Sequence, residues 1–172
     1  LKFFTLLNYD CLVIPKINFF LIASFNFCSV PFNFYCLTDN PQTEYDIKLP
    51  TTWDRYYDSE TKHFWAYRKC YIFNEDLFPD IKGDEFLFFD LDVLFHKSIN
   101  KFFELNMDNP WIVRGWWNDT DNCKKNYSKL KSTPLNSSII RWNRGQMLQV
   151  YDFIEEQPEV IFFTYRTIDN YF

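Results

Sequence analysis

Phe86-Leu87-Phe88-Phe89-Asp90-Leu91-Asp92-Val93-Leu94-Phe95 is the stretch that decides the fold. Four consecutive apolar residues leave no polar face for water, so the run predicts a central strand buried on both sides. It ends in two carboxylates two residues apart. Open α/β sheets bind their ligands just outside the carboxyl ends of the strands, which is where Asp90 and Asp92 fall. Like charges at that separation raise each other's pKa unless a cation neutralises them. Hard oxygen ligands suit Mg²⁺ or Mn²⁺, especially an ion already holding phosphates. The plainer alternative is a surface turn in which Asp caps the next few residues of the chain.

Upstream, Lys2 to Leu7 reads as a strand running into the polar Asn8-Tyr9-Asp10. Cys11 to Phe27 has the length and apolarity of a crossover helix, although Pro15 breaks or kinks a helix there. Phe32 to Leu37 is a second strand, stopped by the turn cluster Thr38-Asp39-Asn40-Pro41. Strand, crossover and strand predict a parallel βαβ unit. Gln42 to Ser59 reads as loop with one short edge strand. Glu60 to Phe73 reads as an amphipathic helix, with Phe64, Tyr67 and Tyr71 beside Trp65, Arg68, Lys69 and Ile72.

Downstream, Ser98 to Leu105 predicts a short helix with Ser98 as N-cap, and Pro110 to Trp117 a strand. Asn118 to Thr133, polar and carrying Lys124, Lys125, Lys129 and Lys131, reads as a surface loop or lid. Leu135 to Trp142 is a further strand. Gly145 to Gln157 is a helix with Met147, Leu148, Tyr151 and Ile154 on one face, and Val160 to Phe163 is apolar.

A chain of 172 residues suits one domain, and 47% hydrophobic with 22% aromatic residues excludes disorder. A net charge of -5 argues against nucleic acid as a partner. Five cysteines without a CxxC pair suggest neither a disulfide framework nor a zinc ribbon, and point to a reducing, cytoplasmic setting. Pro15, Lys16, Asn18, Asn26, Pro31 and Asn33 interrupt the most apolar stretch, so no transmembrane helix is expected. A single domain over 1–172 is expected, and since the first residue is not methionine the chain reads as a fragment.

Four ordered blocks, FYCLTDNP, HFWAYRKCYIF, GDEFLFFDLDVLFHKSINKFFEL and LNSSIIRWNRG, resemble metal-dependent glycosyltransferases of the GT-A fold. The nearest type is the family 8 group and its bacterial polysaccharide relatives, which use nucleotide-diphosphate sugars. The resemblance implies an α/β, Rossmann-like nucleotide-diphospho-sugar transferase fold with a mixed central sheet flanked by helices. It implies Mn²⁺ or Mg²⁺ on Asp90 and Asp92, the first Asp also reaching the donor ribose. It places Tyr9, Thr38 and Asp39 against the nucleoside, and Lys69 with Arg68 at the donor sugar or phosphate. It sets Asn136 and Ser137 along the donor sugar, and Asp169, followed by Asn170, near the reacting carbon.

The implied donor is a UDP-sugar, the acceptor a glycan, lipid-linked or protein hydroxyl, and the outcome retention of configuration. The implied location is cytoplasmic, at the inner face of a membrane or free of it. Departures from the family pattern are the missing downstream His and Lys, and Ser138 in place of glycine; set against the family, the missing His implies that 1–172 is a single GT-A-type catalytic domain cut short at its carboxyl end. The only histidines are His63 and His96, and His96 reads as a surface residue. A solvated helix face is the alternative for Arg68 and Lys69, and core packing for one of Trp116 and Trp117. Two rival functions share the Asp pair. One is a haloacid dehalogenase type phosphatase, whose block normally lies near the amino terminus and continues into Gly-Thr. The other is a nucleotide-sugar-binding remnant without turnover.

Overall fold

The computed structural model describes residues 26–56, 66–77, 83–115, 133–165 and 167–172, together with the backbone of 2–7 and 63–65. Six strands form one mixed sheet: β1 (Lys2–Leu7), β2 (Asn33–Thr38), β3 (Asp46–Lys48), β4 (Glu85–Asp90), β5 (Trp111–Arg114) and β6 (Leu135–Asn143). Their spatial order is β3-β2-β1-β4-β6-β5. β1, β2, β3 and β4 run parallel, while β6 is antiparallel to both β4 and β5. The parallel pairing of β1 with β2 is what the βαβ reading required; most of the expected crossover, Cys11 to Phe27, lies outside the described residues. β3 is the short edge strand expected between Gln42 and Ser59.

β4 is interior, as its four apolar residues demand. Phe86, Leu87, Phe88 and Phe89 are all buried, and their alternation splits them between two cores. Phe86 and Phe88 point to one face with Leu37, Ile140 and Trp142. Leu87 and Phe89 point to the other with Phe34, Cys36 and Ile99. Each of these rings or chains contributes about 1.5–3 kcal/mol by leaving water. The sheet is therefore the middle of three layers.

The first face is covered by residues 66–73 and three helices, α1 (Leu148–Glu156), α2 (Pro158–Thr164) and α3 (Ile168–Tyr171). Gly145, with φ of +84°, makes the turn from β6 into α1 in a conformation that side chains resist. Met147 and Ile154 are buried and Leu148 and Tyr151 half-buried, so the predicted face of α1 is the one that packs. The second face is covered by Phe102 and Phe103 of a 3-10 turn, Asn100–Glu104, with Val93 and Phe95.

Two expectations are corrected. His63–Phe73 is a 3-10 helix, not an amphipathic one: Tyr67 through Phe73 are all buried, because the segment is sandwiched between the sheet and the carboxyl-terminal helices. Ser98 is not the N-cap of the next helical turn; Ile99 holds that position, and Ser98 Oγ accepts the Asn100 N–H at 3.2 Å.

Candidate functional site

Thr38 and Asp39 close β2, Asp90 closes β4, and both strands are parallel to β1 between them, so the three strands end at one edge of the sheet. β6 is antiparallel, so its first residues begin at that same edge. The pairing of β4 with β6 runs up to Phe89 opposite Ile139. On its other side β6 slips: Ile112 faces Ile140 while Val113 faces Asn136, so Ser137, Ser138 and Ile139 have no partner on β5. Irregularities of this kind re-aim a side chain. Asn136 Oδ1 accepts the Ser138 N–H at 3.2 Å and supports the slip.

The re-aimed residue is Ser137. Lys69 Nζ donates to Ser137 Oγ at 3.0 Å and lies 3.3 Å from Ser137 O. The same ammonium donates to Asp90 Oδ1 at 2.9 Å and Oδ2 at 3.0 Å. The Ser137 N–H donates in turn to Asp169 Oδ1 at 2.8 Å. Asp169 sits in the first turn of α3, whose N-cap Thr167 accepts the Asn170 N–H. Asp90, Lys69, Ser137 and Asp169 thus form one connected polar chain from β4 to α3, with Lys69 and Ser137 buried and the two carboxylates half-buried.

Arg68, the neighbour of Lys69, turns to the other strand end. Its Nη1 donates to Asp39 Oδ2 at 2.8 Å and its Nη2 to Asp39 Oδ1, a two-pronged contact. Asp54 stands 3.9 Å from its Nε. Arg68 is 1% exposed. The solvated-face alternative for Arg68 and Lys69 is therefore overturned: a buried cation is tolerated only with carboxylate partners, and each has one.

Asp92 lies in the turn after β4, exposed, with no hydrogen bond or ion pair among the described residues. Among the described residues no group of three or more His, Cys, Asp or Glu side chains could hold a metal ion. Asp90 retains acceptor capacity beyond its two contacts to Lys69, and Asp92 is unengaged. The oxygen-only pair fits Mg²⁺ or Mn²⁺ provided diphosphate oxygens and water complete the coordination. His96 is exposed, as expected of a surface residue. Tyr9, Trp116 and Trp117 lie outside the described residues, as do the side chain of His63 and all of the expected lid except Thr133.

Sequence reasoning missed Asp54 and the link from Lys69 through Ser137 to Asp169. A signal existed: Arg68-Lys69 stands between Tyr67 and the apolar Cys70-Tyr71-Ile72-Phe73, where two adjacent cations have to be buried and paired. Burial raises the neighbouring Cys70 thiol pKa and pushes Tyr71 up to about 12.

No family model matches the sequence, and no curated protein matches it significantly. Solved structures do match its fold. A glycosyltransferase involved in the glycosylation of the major capsid of PBCV-1 superposes with a TM-score of 0.52 at 15% identity, over 96% of this chain and 70% of that one. The galactosyltransferase LgtC, solved with donor and acceptor sugar analogs, superposes with a TM-score of 0.54 at 11% identity, over 94% of this chain and 66% of that one. GlyE of Streptococcus pneumoniae TIGR4 gives a TM-score of 0.49 at 12% identity over 92% of this chain, which spans 39% of its length. The fold is the GT-A type shared with the first two, a mixed α/β sheet flanked by helices. No helix among the described residues is long and apolar enough to cross a membrane.

Proposed function

We propose that the chain is a metal-dependent glycosyltransferase that moves a sugar from a nucleotide-diphosphate donor, a UDP-sugar, to a hydroxyl of a glycan, lipid-linked or protein acceptor, with retention of configuration. The observation that carries this is the polar chain Asp90–Lys69–Ser137–Asp169, built at the carboxyl edge of a GT-A sheet beside the exposed Asp92. Asp90 and Asp92 would hold Mn²⁺ or Mg²⁺, whose chemistry at this place is neutralisation of a leaving diphosphate.

The chain's own residues do the rest by placement. Lys69 holds Asp90 with both oxygens engaged, so the carboxylate is oriented before any ligand arrives. Ser137 and Asn136, at the start of β6 between Asp90 and Asp169, would lie along the donor sugar. Asp169 keeps Oδ2 for that sugar while Oδ1 is occupied by Ser137 N–H. Thr38 and Asp39 face the nucleoside end, and Tyr9 would complete it. No strong base is required, since positioning and electrostatic stabilisation of an oxocarbenium-like state supply the rate. The proposed setting is the cytoplasm, at the inner face of a membrane or free of it.

The test is release of nucleoside diphosphate from a panel of nucleotide sugars in the presence of Mn²⁺, for the chain and for Asp92→Ala. The proposal expects at least one donor to be turned over and the variant to lose at least about a hundredfold in rate, the scale of removing one electrostatic stabiliser. Phosphate release from simple phosphate esters without use of any sugar donor would contradict it.

A further inference from the structure

Arg68 does not belong to the polar chain of Lys69, yet it is the most completely buried cation at this edge of the sheet, 1% exposed. Its fork engages both oxygens of Asp39, whose side chain is 11% exposed. A carboxylate held by both oxygens cannot rotate. It retains further acceptor sites and has no proton to donate, so any ligand group it receives must be a donor: a sugar hydroxyl or a base N–H. Asp39 follows directly on β2 and Asp90 ends β4, with β1 between them, so two strand spacings, about 10 Å, separate the two strand ends.

Arg68 and Lys69 are consecutive, with Cα atoms about 3.8 Å apart. Yet they reach opposite sides of β1: Arg68 to Asp39 on the β2 side, and Lys69 to Asp90 on the β4 side. One dipeptide therefore ties the two strand ends to a common anchor. Asp54 Oδ1 stands 3.9 Å from Arg68 Nε, within ion-pair reach and beyond hydrogen-bond distance.

We infer that Arg68 is a positioning residue that acts through Asp39, fixing its carboxylate as a rigid acceptor for the nucleoside of the donor. This rests on the transferase reading above. A lysine at position 68 keeps the charge but offers no planar fork, so it leaves Asp39 free to turn. Asn at position 39 keeps an oxygen for Arg68 but removes the carboxylate.

The experiment is a double-mutant cycle in nucleotide affinity, read by calorimetric titration of UDP, CDP, ADP and GDP with Mn²⁺ into the chain, Arg68→Lys, Asp39→Asn and the double variant, with thermal unfolding of each. The expected result is a loss of about tenfold for each single variant, the scale of one charge-assisted hydrogen bond. The double variant should then bind no more weakly than Asp39→Asn alone, because Arg68 works only through Asp39. Single variants that bind as the parent does, or losses that add in the double variant, overturn the inference and leave the transferase reading standing. Should Arg68→Lys fail to fold, Asp39→Asn with parental affinity overturns it equally. A parent chain that binds none of the four nucleotides overturns the transferase reading, and this inference with it.

Discussion

The backbone N–H of Ser137 donates to the carboxylate of Asp169 at 2.8 Å across 32 residues of sequence, joining the irregular start of β6 to the first turn of α3. The bond matters because Ser137 is also the residue that Lys69 grips. The carboxyl-terminal helix thereby shares one hydrogen-bond chain with the strand end that carries Asp90. Asp169→Asn keeps an acceptor for the Ser137 N–H, so stability should fall by less than about 1 kcal/mol. Removing the carboxylate should lower kcat far more than it raises the donor KM. Steady-state kinetics with a thermal melt check this; a variant with parental kcat would remove Asp169 from the site.

Lys69→Met leaves Asp90 and Ser137 without their cation. Stripping one partner from a buried pair costs about 3–5 kcal/mol. Asp90 keeps 27% of its side chain exposed and rehydrates in part, so the expected loss is nearer to about 2 kcal/mol. Urea unfolding with a lowered midpoint and an unchanged slope verifies it, and an unchanged midpoint would show that the pair is not a stabilising contact.

Phe88 lies in the centre of β4 with no exposed surface, stacked under the Lys69 ammonium, which stands 5.4 Å from its ring centroid. Phe88→Ala should cost about 3–5 kcal/mol through lost burial and an unfilled cavity. Denaturant titration reads this directly. A loss below about 1 kcal/mol would mean that the strand is not interior.

Burial raises the thiols of Cys36 and Cys70 well above their ordinary value of 9.0, and pushes Tyr71 from 10.0 up to about 12. The folded chain keeps these protons when the unfolded chain has lost them. Each such thiol therefore lowers stability by up to about 1.4 kcal/mol per pH unit above its unfolded pKa, and contributes no such loss at neutral pH. Melting temperature should hold between about pH 7 and 8 and fall steadily above about pH 9. Alkylation followed by peptide mapping should find Cys36 and Cys70 unmodified in the folded protein. Rapid native labelling of Cys70 would contradict its placement.

Legibility in the chain depends on whether a feature is local. Phe86 to Phe89 announce a two-faced strand because nothing in them can face water, and the carboxylates after it point to the carboxyl edge of the sheet as the candidate site. Residues 67–73 mislead because periodicity assumes one wet face, and these have none: Arg68 and Lys69 look like surface residues until Asp39 and Asp90, from other parts of the chain, are brought to them. The slip in β6 is invisible for the same reason. Asn136-Ser137-Ser138 carries no bulge-forming glycine, and the irregularity arises from pairing with β5 on one side and β4 on the other. Asp169 is reached only through resemblance, and its tie to Ser137 is a contact that no spacing encodes.

The central claim is that the Asp pair after β4 belongs to a nucleotide-diphosphate site. Calorimetric titration of UDP with and without Mn²⁺, into the chain and into Asp92→Ala, tests it most directly. Metal-dependent binding in the parent, lost by at least about tenfold in a variant that melts as the parent does, is the predicted result; binding that ignores both Mn²⁺ and the Asp92 carboxylate, or no binding at all, would contradict it.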